Sequence, residues 1–406
     1  MKRRLLASLL TLVMMLNLLP TVAWARNDEG IDADSVEMYS SDDVVTSGPI
    51  TLWTGKEGQI TVPEENEVRS SNADIVSVEQ DGTAVTLTGG SKEGRAEVTA
   101  GESTWVVYNY ASEAEYNYLY SLFHGKTISV MGDSISTIKD KIPSGNALYY
   151  DNTTGKEMTF ERNYWGDIIT RFGAVEGIDE AWSGSTIGSK AASMASKDRI
   201  NKLDDNGTPD VILYYGGSNP DSSVGTFNPD ADYAKTVDWA KSYSDTASAY
   251  AASLQRMKET YPDAEIIAII PYYEQNNIPK QAEVIEQIAK HYDITTIDLR
   301  ELRNQEGISP NNALHPNMDG HSQIAAYICQ QLYEQRAVTP DEKTVTYNAN
   351  GGSFKNGSDP IKQSVTAAEG HPRRLRLCGL VRSGCWREQD CIRSGHGDSL
   401  WHAGQP

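Results

Sequence analysis

Two residues far apart in the chain could together carry out acyl-ester chemistry. Ser134 follows an apolar, β-branched run at 128–131 that ends on Gly132, a pattern typical of a buried parallel strand leading into a loop. His315 lies on a proline-flanked loop after the last predicted strand, and an imidazole accepts and returns protons near neutral pH. Ester cleavage needs such a nucleophile and base, together with donors for the developing oxyanion. The alternative for Ser134 is the N-cap of a helix.

The other histidines of this part of the chain fit the role of a base less well. His124 precedes the first predicted strand and His291 ends a predicted helix, so we expect both to be solvated. His321 falls in the last predicted helix, where we expect it to cap or to pack. His315 is therefore the predicted base.

Strands alternate with helical stretches between residues 111 and 337, which favours βαβ units with right-handed crossovers and a parallel sheet. The strand candidates are 128–131, 211–215, 265–270 and 294–298, with a weaker one at 174–182. The helical candidates are 164–172, 246–261, 280–292 and 318–336. We predict an α/β fold, a three-layer α/β/α sandwich with about five parallel strands. Ligands bind at the carboxyl ends of such strands, where Ser134 lies.

Four short blocks lie at the predicted strand ends. In chain order they are Gly132-Asp133-Ser134-Ile135, Trp182-Ser183-Gly184-Ser185, Gly216-Gly217-Ser218-Asn219 and Asn312-Ala313-Leu314-His315-Pro316-Asn317. This ordered set resembles the SGNH hydrolases, also called the GDSL esterase family, over residues 111–337. The resemblance implies a flavodoxin-like sheet and a serine esterase or acylhydrolase that works through an acyl-enzyme and needs no cofactor.

The same resemblance implies the residues of the oxyanion hole. They are the backbone N–H groups of Ser134 and Gly184 and the side-chain amide of Asn219. A glycine lets the backbone approach closely, and an amide donates hydrogen bonds without bringing a charge. The alternatives are a plain turn at Gly184 and a turn residue before Pro220 at Asn219.

Position 312 departs from the family pattern. Relatives place an aspartate three residues before the histidine, whereas this chain has Asn312. A neutral amide can accept the Nδ1 proton of His315 but stabilises the imidazolium less than a carboxylate does. The enzyme would then work as a Ser–His dyad oriented by Asn312 or a backbone carbonyl, or Asp298 or Asp319 would substitute, or activity would be feeble. We favour the dyad.

The aromatic residues near the four blocks indicate a class of substrate. The chain has 21 Tyr against 5 Phe, and Trp182, Tyr149, Tyr164 and Tyr272 fall near the block loops. Amphipathic aromatic rings suit a wet, sugar-lined site, although core or rim positions are the alternative. We predict hydrolysis of O-acyl esters, foremost O-acetyl esters, on a polysaccharide or a small acyl ester. The alternatives are an O-acyltransferase and a non-catalytic surface adhesion or glycan-binding protein.

Charge and the first residues of the chain bear on partners and location. A net charge of −20 disfavours nucleic acid and anionic lipid as partners. Three basic residues, an apolar run at 5–19 and Ala23-Trp24-Ala25 predict a signal peptide at 1–25 and a secreted protein with no transmembrane segment after cleavage. No metal site is predicted, because no His-x-x-x-His pair or calcium loop occurs near the blocks.

The parts outside 111–337 indicate surface modules. Residues 26–46 are predicted to be an acidic linker, and 47–110 to be a small all-β sandwich that resembles bacterial Ig-like domains through Ser70–Val78 and Asp81-Gly82. Residues 338–343 are predicted to be a second linker. The stretch 344–354 resembles the start of an internalin-type B-repeat, which we extend to 370. These likenesses imply the surface of a Gram-positive bacterium and contact with cell-wall glycan.

The last residues, 371–406, differ from the rest of the chain. They contain Arg but no Lys, and most of the cysteines of the chain. A zinc site built from Cys378, Cys385, Cys391, His396 and His402 is one interpretation, but the spacing matches no standard ligand pattern. An out-of-frame end that interrupts the repeat is the interpretation we favour.

Overall fold

The computed structural model describes residues 49–63, 66–188, 192–233, 245–303, 305, 307–308 and 313–336, together with the backbone of two later strands. Several predictions fall outside these described residues. They are the signal peptide at 1–25, the acidic linker at 26–46, Asn312, the linker at 338–343 except for its last residue, and the tail at 371–406.

A five-stranded parallel sheet forms the centre of the α/β region, which we define as residues 113–336. Its strands are β8 (Thr127–Gly132), β9 (Val175–Ala181), β10 (Val211–Tyr215), β11 (Glu265–Ile270) and β12 (Thr295–Asp298). Their order across the sheet is β12-β11-β10-β8-β9. The predicted α/β fold with about five parallel strands is confirmed.

Helices cover both faces of this sheet. They are α1 (Glu113–Phe123), α2 (Tyr164–Phe172), α3 (Lys197–Asn201), α4 (Thr246–Thr260), α5 (Ile278–His291) and α6 (Met318–Arg336). One apolar core lies between the sheet and α1, α2 and α6, and the other between the sheet and α3, α4 and α5. Short 3₁₀ helices occur at Phe160–Arg162 and Leu299–Leu302. The arrangement has three layers.

Local sequence explains where several of these elements begin and end. All five residues of β10 are buried, as expected of a central parallel strand that is covered on both faces. Asp245 caps the start of helix α4, and its carboxylate accepts a hydrogen bond from the Ser248 N–H. Gly173 follows the last residue of helix α2, and its φ of 62° is the left-handed conformation that commonly terminates a helix.

Two small sheets make up the N-terminal β region, which we define as residues 50–110. Its strands are β1 (Ile50–Trp53), β2 (Glu57–Thr61), β3 (Val68–Ser70), β4 (Val76–Asp81), β5 (Ala84–Gly89), β6 (Gly94–Ala100) and β7 (Ser103–Tyr110). They pair in the orders β1-β7-β6-β3 and β2-β5-β4, with β1 parallel to β7. Both sheets contribute to one apolar core. The likeness to Ig-like domains stays a prediction.

The last strand of the N-terminal β region continues into the core of the α/β region. Tyr108 and Tyr110, at the end of β7, are buried in the same core as α1 and α2. The Arg171 guanidinium lies 4.4 Å from the centre of the Tyr108 ring and donates through Nε to Asp167 at 2.9 Å. The two regions therefore share buried contacts instead of being joined only by a flexible linker.

Beyond the α/β region the structure describes two paired strands. They are β13 (Lys343–Tyr347) and β14 (Ile361–Val365), and they run antiparallel. The likeness to a B-repeat stays a prediction. Within the part of the chain that the structure describes, no helix has the length and apolar character needed to span a membrane.

Candidate active site

The turn after β8 presents Ser134. The carboxylate of Asp133 accepts hydrogen bonds from the Ile135 N–H at 3.1 Å and from the Ser218 N–H at 3.3 Å. Burial raises the pKa of Asp133 to about 6, and the two N–H donors oppose that rise. Thr137 Oγ1 donates to the Ser134 carbonyl at 2.9 Å. These bonds fix the backbone that carries the serine.

His315 contacts Ser134 directly. The distance between His315 Nε2 and Ser134 Oγ is 2.8 Å. Burial, followed by the positive charge of Lys156, lowers the pKa of His315 to about 4. The imidazole is therefore neutral at neutral pH, so its Nε2 can accept the Ser134 proton. The structure thus brings together the two residues with which the sequence argument began.

Two tyrosine hydroxyls hold the backbone on either side of His315. Tyr272 donates to the Leu314 carbonyl at 2.6 Å, and Tyr150 donates to the Pro316 carbonyl at 2.7 Å. Both tyrosines are almost completely buried. The position of the histidine loop is therefore set from inside the core.

His321 supports one of these two bonds. Its Nδ1 accepts from the Tyr164 N–H at 3.3 Å, which assigns the proton of a neutral ring to Nε2. That Nε2 lies 2.9 Å from the Tyr150 hydroxyl and donates to it. Burial, and then the nearby His315, lower the pKa of His321 to about 3, consistent with a neutral ring. The sequence argument predicted capping or packing and did not find this network.

The four block loops meet around Ser134. The first and second are joined by Trp182 N–H donating to the Gly132 carbonyl at 3.2 Å. The second and third are joined by Asn219 Nδ2 donating to the Ser185 carbonyl at 2.9 Å. The bond from Ser218 to Asp133 joins the first and third, and the fourth supplies His315.

Gly184 and Asn219 have conformations compatible with the oxyanion roles that the resemblance implies. Gly184 has a φ of +80°, which a residue with a Cβ rarely adopts. Asn219 uses one N–H of its amide on Ser185, and an amide nitrogen carries two. Among the residues that the structure describes, the second N–H has no hydrogen-bond partner.

Gln281, on α5, was not found from the sequence. Its side chain is fully buried and its Nε2 donates to the carbonyls of Gly217 and Asn219, each at 3.1 Å. Its Oε1 accepts from the Asp221 N–H at 2.7 Å. The side-chain amide of Gln281 thus makes three hydrogen bonds to the loop that carries Asn219.

The four aromatic residues predicted to bind substrate fall into two groups. Trp182 and Tyr149 are half-buried, and Tyr149 stacks on His315 with 3.4 Å between ring centres. Tyr164 and Tyr272 lie in the core, which was the alternative considered for these aromatics. The Tyr164 hydroxyl is 2.8 Å from Ser136 Oγ.

The third position of a triad lies outside the described residues, because Asn312 does. Asp298 bonds to Arg300 at 2.8 and 2.6 Å, and Asp319 pairs with Arg162. Neither carboxylate hydrogen-bonds to His315 in the described ranges. Among the same residues, no group of three or more His, Cys, Asp or Glu side chains is arranged to hold a metal ion.

Comparisons with solved structures give several matches. One is a protein from Bacteroides ovatus classed with the GDSL-like lipases, 23% identical, covering 52% of this chain and 98% of that one, with a TM-score of 0.42. A Bacteroides uniformis protein of the same class is 25% identical over 52% and 95%, with a TM-score of 0.40. A family two carbohydrate esterase from Clostridium thermocellum, in complex with cellohexaose, is 13% identical over 70% and 94%, with a TM-score of 0.36.

No curated protein matches the chain. Residues 126–332 match the family described as GDSL-like Lipase/Acylhydrolase. This match spans the whole parallel sheet and all four block loops, and it covers just over half of the 406 residues. The protein belongs to the GDSL-like lipase and acylhydrolase family.

Proposed function

We propose that the protein is a secreted serine esterase that hydrolyses O-acyl esters, foremost O-acetyl esters, on a polysaccharide. The observation that carries the proposal is the 2.8 Å contact between Ser134 Oγ and the Nε2 of a neutral His315. A hydroxyl this close to an unprotonated imidazole is an activated nucleophile.

The reaction follows from the positions of these groups. His315 Nε2 takes the hydroxyl proton as Ser134 Oγ attacks the acyl carbonyl carbon. The N–H groups of Ser134 and Gly184 and the amide of Asn219 stabilise the resulting oxyanion. The imidazolium returns the proton to the departing alcohol, which leaves an acyl-enzyme. Water then attacks the acyl carbonyl carbon while His315 takes its proton. The bond between the acyl group and Ser134 Oγ breaks, the acid leaves, and the imidazolium returns the proton to Ser134 Oγ.

The third position is proposed to lack a carboxylate, so that the site works as a dyad. Asn312 is an amide, and the two nearby carboxylates of Asp298 and Asp319 are already paired with arginines. The backbone around His315 is instead held by tyrosine hydroxyls. We propose that this bracing supplies much of the orientation that an aspartate would give.

The proposed substrate class rests on the net charge of the chain and on a half-buried aromatic ring near the site. A chain with a net charge of −20 repels strongly anionic partners, so a neutral acylated glycan fits better. Trp182 is half-buried in the second block loop, which is bonded to the loop of the nucleophile, and offers ring surface to a sugar. The export signal, the Ig-like and B-repeat likenesses and their contact with cell-wall glycan belong to the same proposal.

Acetate release is the test. The purified full chain is expected to release acetate from acetylated xylan and from 4-nitrophenyl acetate, and Ser134→Ala should lower kcat by more than about a thousandfold. Ser121→Ala is the matched control, because its exposed hydroxyl only bonds within α1. Equal activity of Ser134→Ala and the control would refute the proposal. Glycan binding without turnover would favour the adhesion protein instead.

A further inference from the structure

Tyr149 covers one face of the His315 imidazole. The two rings are nearly parallel, with an interplanar angle of 11° and 3.4 Å between their centres. Tyr150 meets the same imidazole edge-on, at 6.3 Å and 87°. The Lys156 ammonium lies 5.0 Å from the centre of the Tyr149 ring. The stacked ring limits rotation of the imidazole out of the plane in which its Nε2 reaches Ser134.

One buried hydroxyl connects Tyr149 to the residue that carries the nucleophile. The Tyr149 N–H donates to Thr137 Oγ1 at 3.1 Å, and Thr137 Oγ1 donates to the Ser134 carbonyl at 2.9 Å. Thr137 is completely buried. These two bonds, the contact between Ser134 and His315, and the stacking of His315 on Tyr149 form a closed cycle of contacts.

This cycle of contacts would keep the imidazole in place for proton transfer from Ser134. A base must keep its Nε2 within hydrogen-bond reach of the serine, and small displacements of reacting groups slow catalysis strongly. In a triad, a carboxylate at Nδ1 holds the imidazole. Position 312 carries no carboxylate in this chain. A stacked aromatic ring attached to the nucleophile's own turn supplies orientation by another route.

We infer that Tyr149 is a positioning residue for His315 and that Thr137 ties this position to Ser134. The inference rests on the proposed role of His315 as the base. It assigns Tyr149 to the base instead of to the substrate. Among the described residues, the groups that face the imidazole are Tyr149, Tyr150 and Ser134, with Lys156 beyond Tyr149.

Substitution of Tyr149 distinguishes a role in positioning His315 from a role in binding substrate. Tyr149→Phe keeps the ring, and we expect kcat within about twofold of the wild type. Tyr149→Leu removes the stacking, and we expect kcat to fall by about 2- to 10-fold while KM changes less than about twofold. A raised KM with unchanged kcat would assign Tyr149 to substrate binding and overturn the inference. Unchanged kinetics of the leucine variant would overturn it too.

Thr137 offers a matched pair of substitutions. Thr137→Ser keeps the hydroxyl and should retain kcat, whereas Thr137→Val is nearly isosteric, lacks the hydroxyl and should lower kcat as Tyr149→Leu does. Residues that act through one set of contacts have non-additive effects. We therefore expect the kcat of the Thr137→Val, Tyr149→Leu double variant to lie within about twofold of the kcat of the slower single variant. A multiplicative loss would show that Thr137 does not act through Tyr149.

A spectroscopic measurement tests the inference without turnover. In the wild-type chain, the ring current of Tyr149 should move the His315 ring-proton NMR signals upfield, with assignment by the His315→Gln spectrum. The upfield position should persist in Tyr149→Phe and disappear in Tyr149→Leu. If no ester is hydrolysed, the proposed function fails while this measurement still decides the stacking. Unshifted wild-type signals would overturn the inference even in an active enzyme.

Discussion

Replacing Tyr150 with phenylalanine removes a single oxygen from the support of the histidine loop. That hydroxyl accepts a hydrogen bond from His321 Nε2 at 2.9 Å and donates one to the Pro316 carbonyl at 2.7 Å. Tyr150 is 2% exposed, so water cannot readily replace the lost partner. The substitution keeps the ring and leaves a buried N–H and a buried carbonyl without a partner.

The magnitude follows from these two groups. A buried polar group left without a hydrogen bond destabilises the folded state by about 1 to 3 kcal/mol. Two such groups predict that Tyr150→Phe lowers the free energy of unfolding by about 2 to 6 kcal/mol. Because the loop carries His315, we also expect kcat to fall more than KM rises.

Tyr250 provides the matched control. Its ring is 1% exposed, and within the described residues its hydroxyl has no hydrogen-bond partner. Tyr250→Phe should therefore leave the free energy of unfolding unchanged or raise it slightly. Urea denaturation of both variants at pH 7 gives the comparison. Equal stability of the two variants would refute the reasoning, since it would mean that the bonds to His321 and Pro316 contribute nothing.

Two further predictions concern the pKa of His315 and the loop that carries Asn219. Burial and the charge of Lys156 lower the pKa of His315 to about 4, so an NMR titration should have its midpoint near pH 4. Because the protonated imidazole cannot act as a base, we expect esterase activity to be lost as the pH falls through this midpoint. Lys156→Gln should move the midpoint upward; a wild-type midpoint near 6.5 would contradict the burial. Gln281→Leu removes all three bonds to the loop of Asn219 and should lower kcat at least about tenfold with little change in KM. Unchanged kcat in a folded Gln281→Leu variant would show that the loop holds its position without this amide.

Central strands were predictable because their residues leave few choices. The runs at β8, β10 and β11 are short, mostly apolar and contain several β-branched residues, and they appear within a residue or two of their predicted positions. Strand β9 is a weaker candidate in the sequence, predicted at 174–182 and observed at Val175–Ala181, and it contains Asp179 and Glu180, both buried. Arg199, from a different element, lies 3.4 Å from the Glu180 carboxylate. A single sequence cannot reveal such a distant partner for buried charges.

Helix α1 was missed for a related reason. Its buried residues are Glu115, Leu119 and Phe123, so the inward stripe contains one carboxylate and only two apolar side chains. Ser112 followed three residues later by Glu115 is a helix-start signal that could have found it. The Ser112 side chain does accept a hydrogen bond from the Glu115 N–H.

The contact between Ser134 and His315 was predictable from the sequence, whereas the residues that support it were not. Ser134 and His315 could be predicted because strand ends collect at one edge of a parallel sheet and because the blocks follow a known order. Gln281 and the pair of Tyr150 and His321 act through long-range contacts that leave no local pattern. Tyr272, near a block loop, was proposed to touch substrate because sequence position does not tell an inward ring from an outward one.

The burial of Tyr108 and Tyr110 beneath α1 and α2 has a practical consequence for protein engineering. A truncation at residue 111 would remove Tyr108 and Tyr110 from the core and expose the apolar surface that they cover. The Arg171 guanidinium would also lose its contacts with both rings. Grafting the catalytic portion onto another scaffold therefore requires carrying the preceding sixty residues along, or redesigning the surface that they protect. Any natural exchange of this leading portion would face the same requirement.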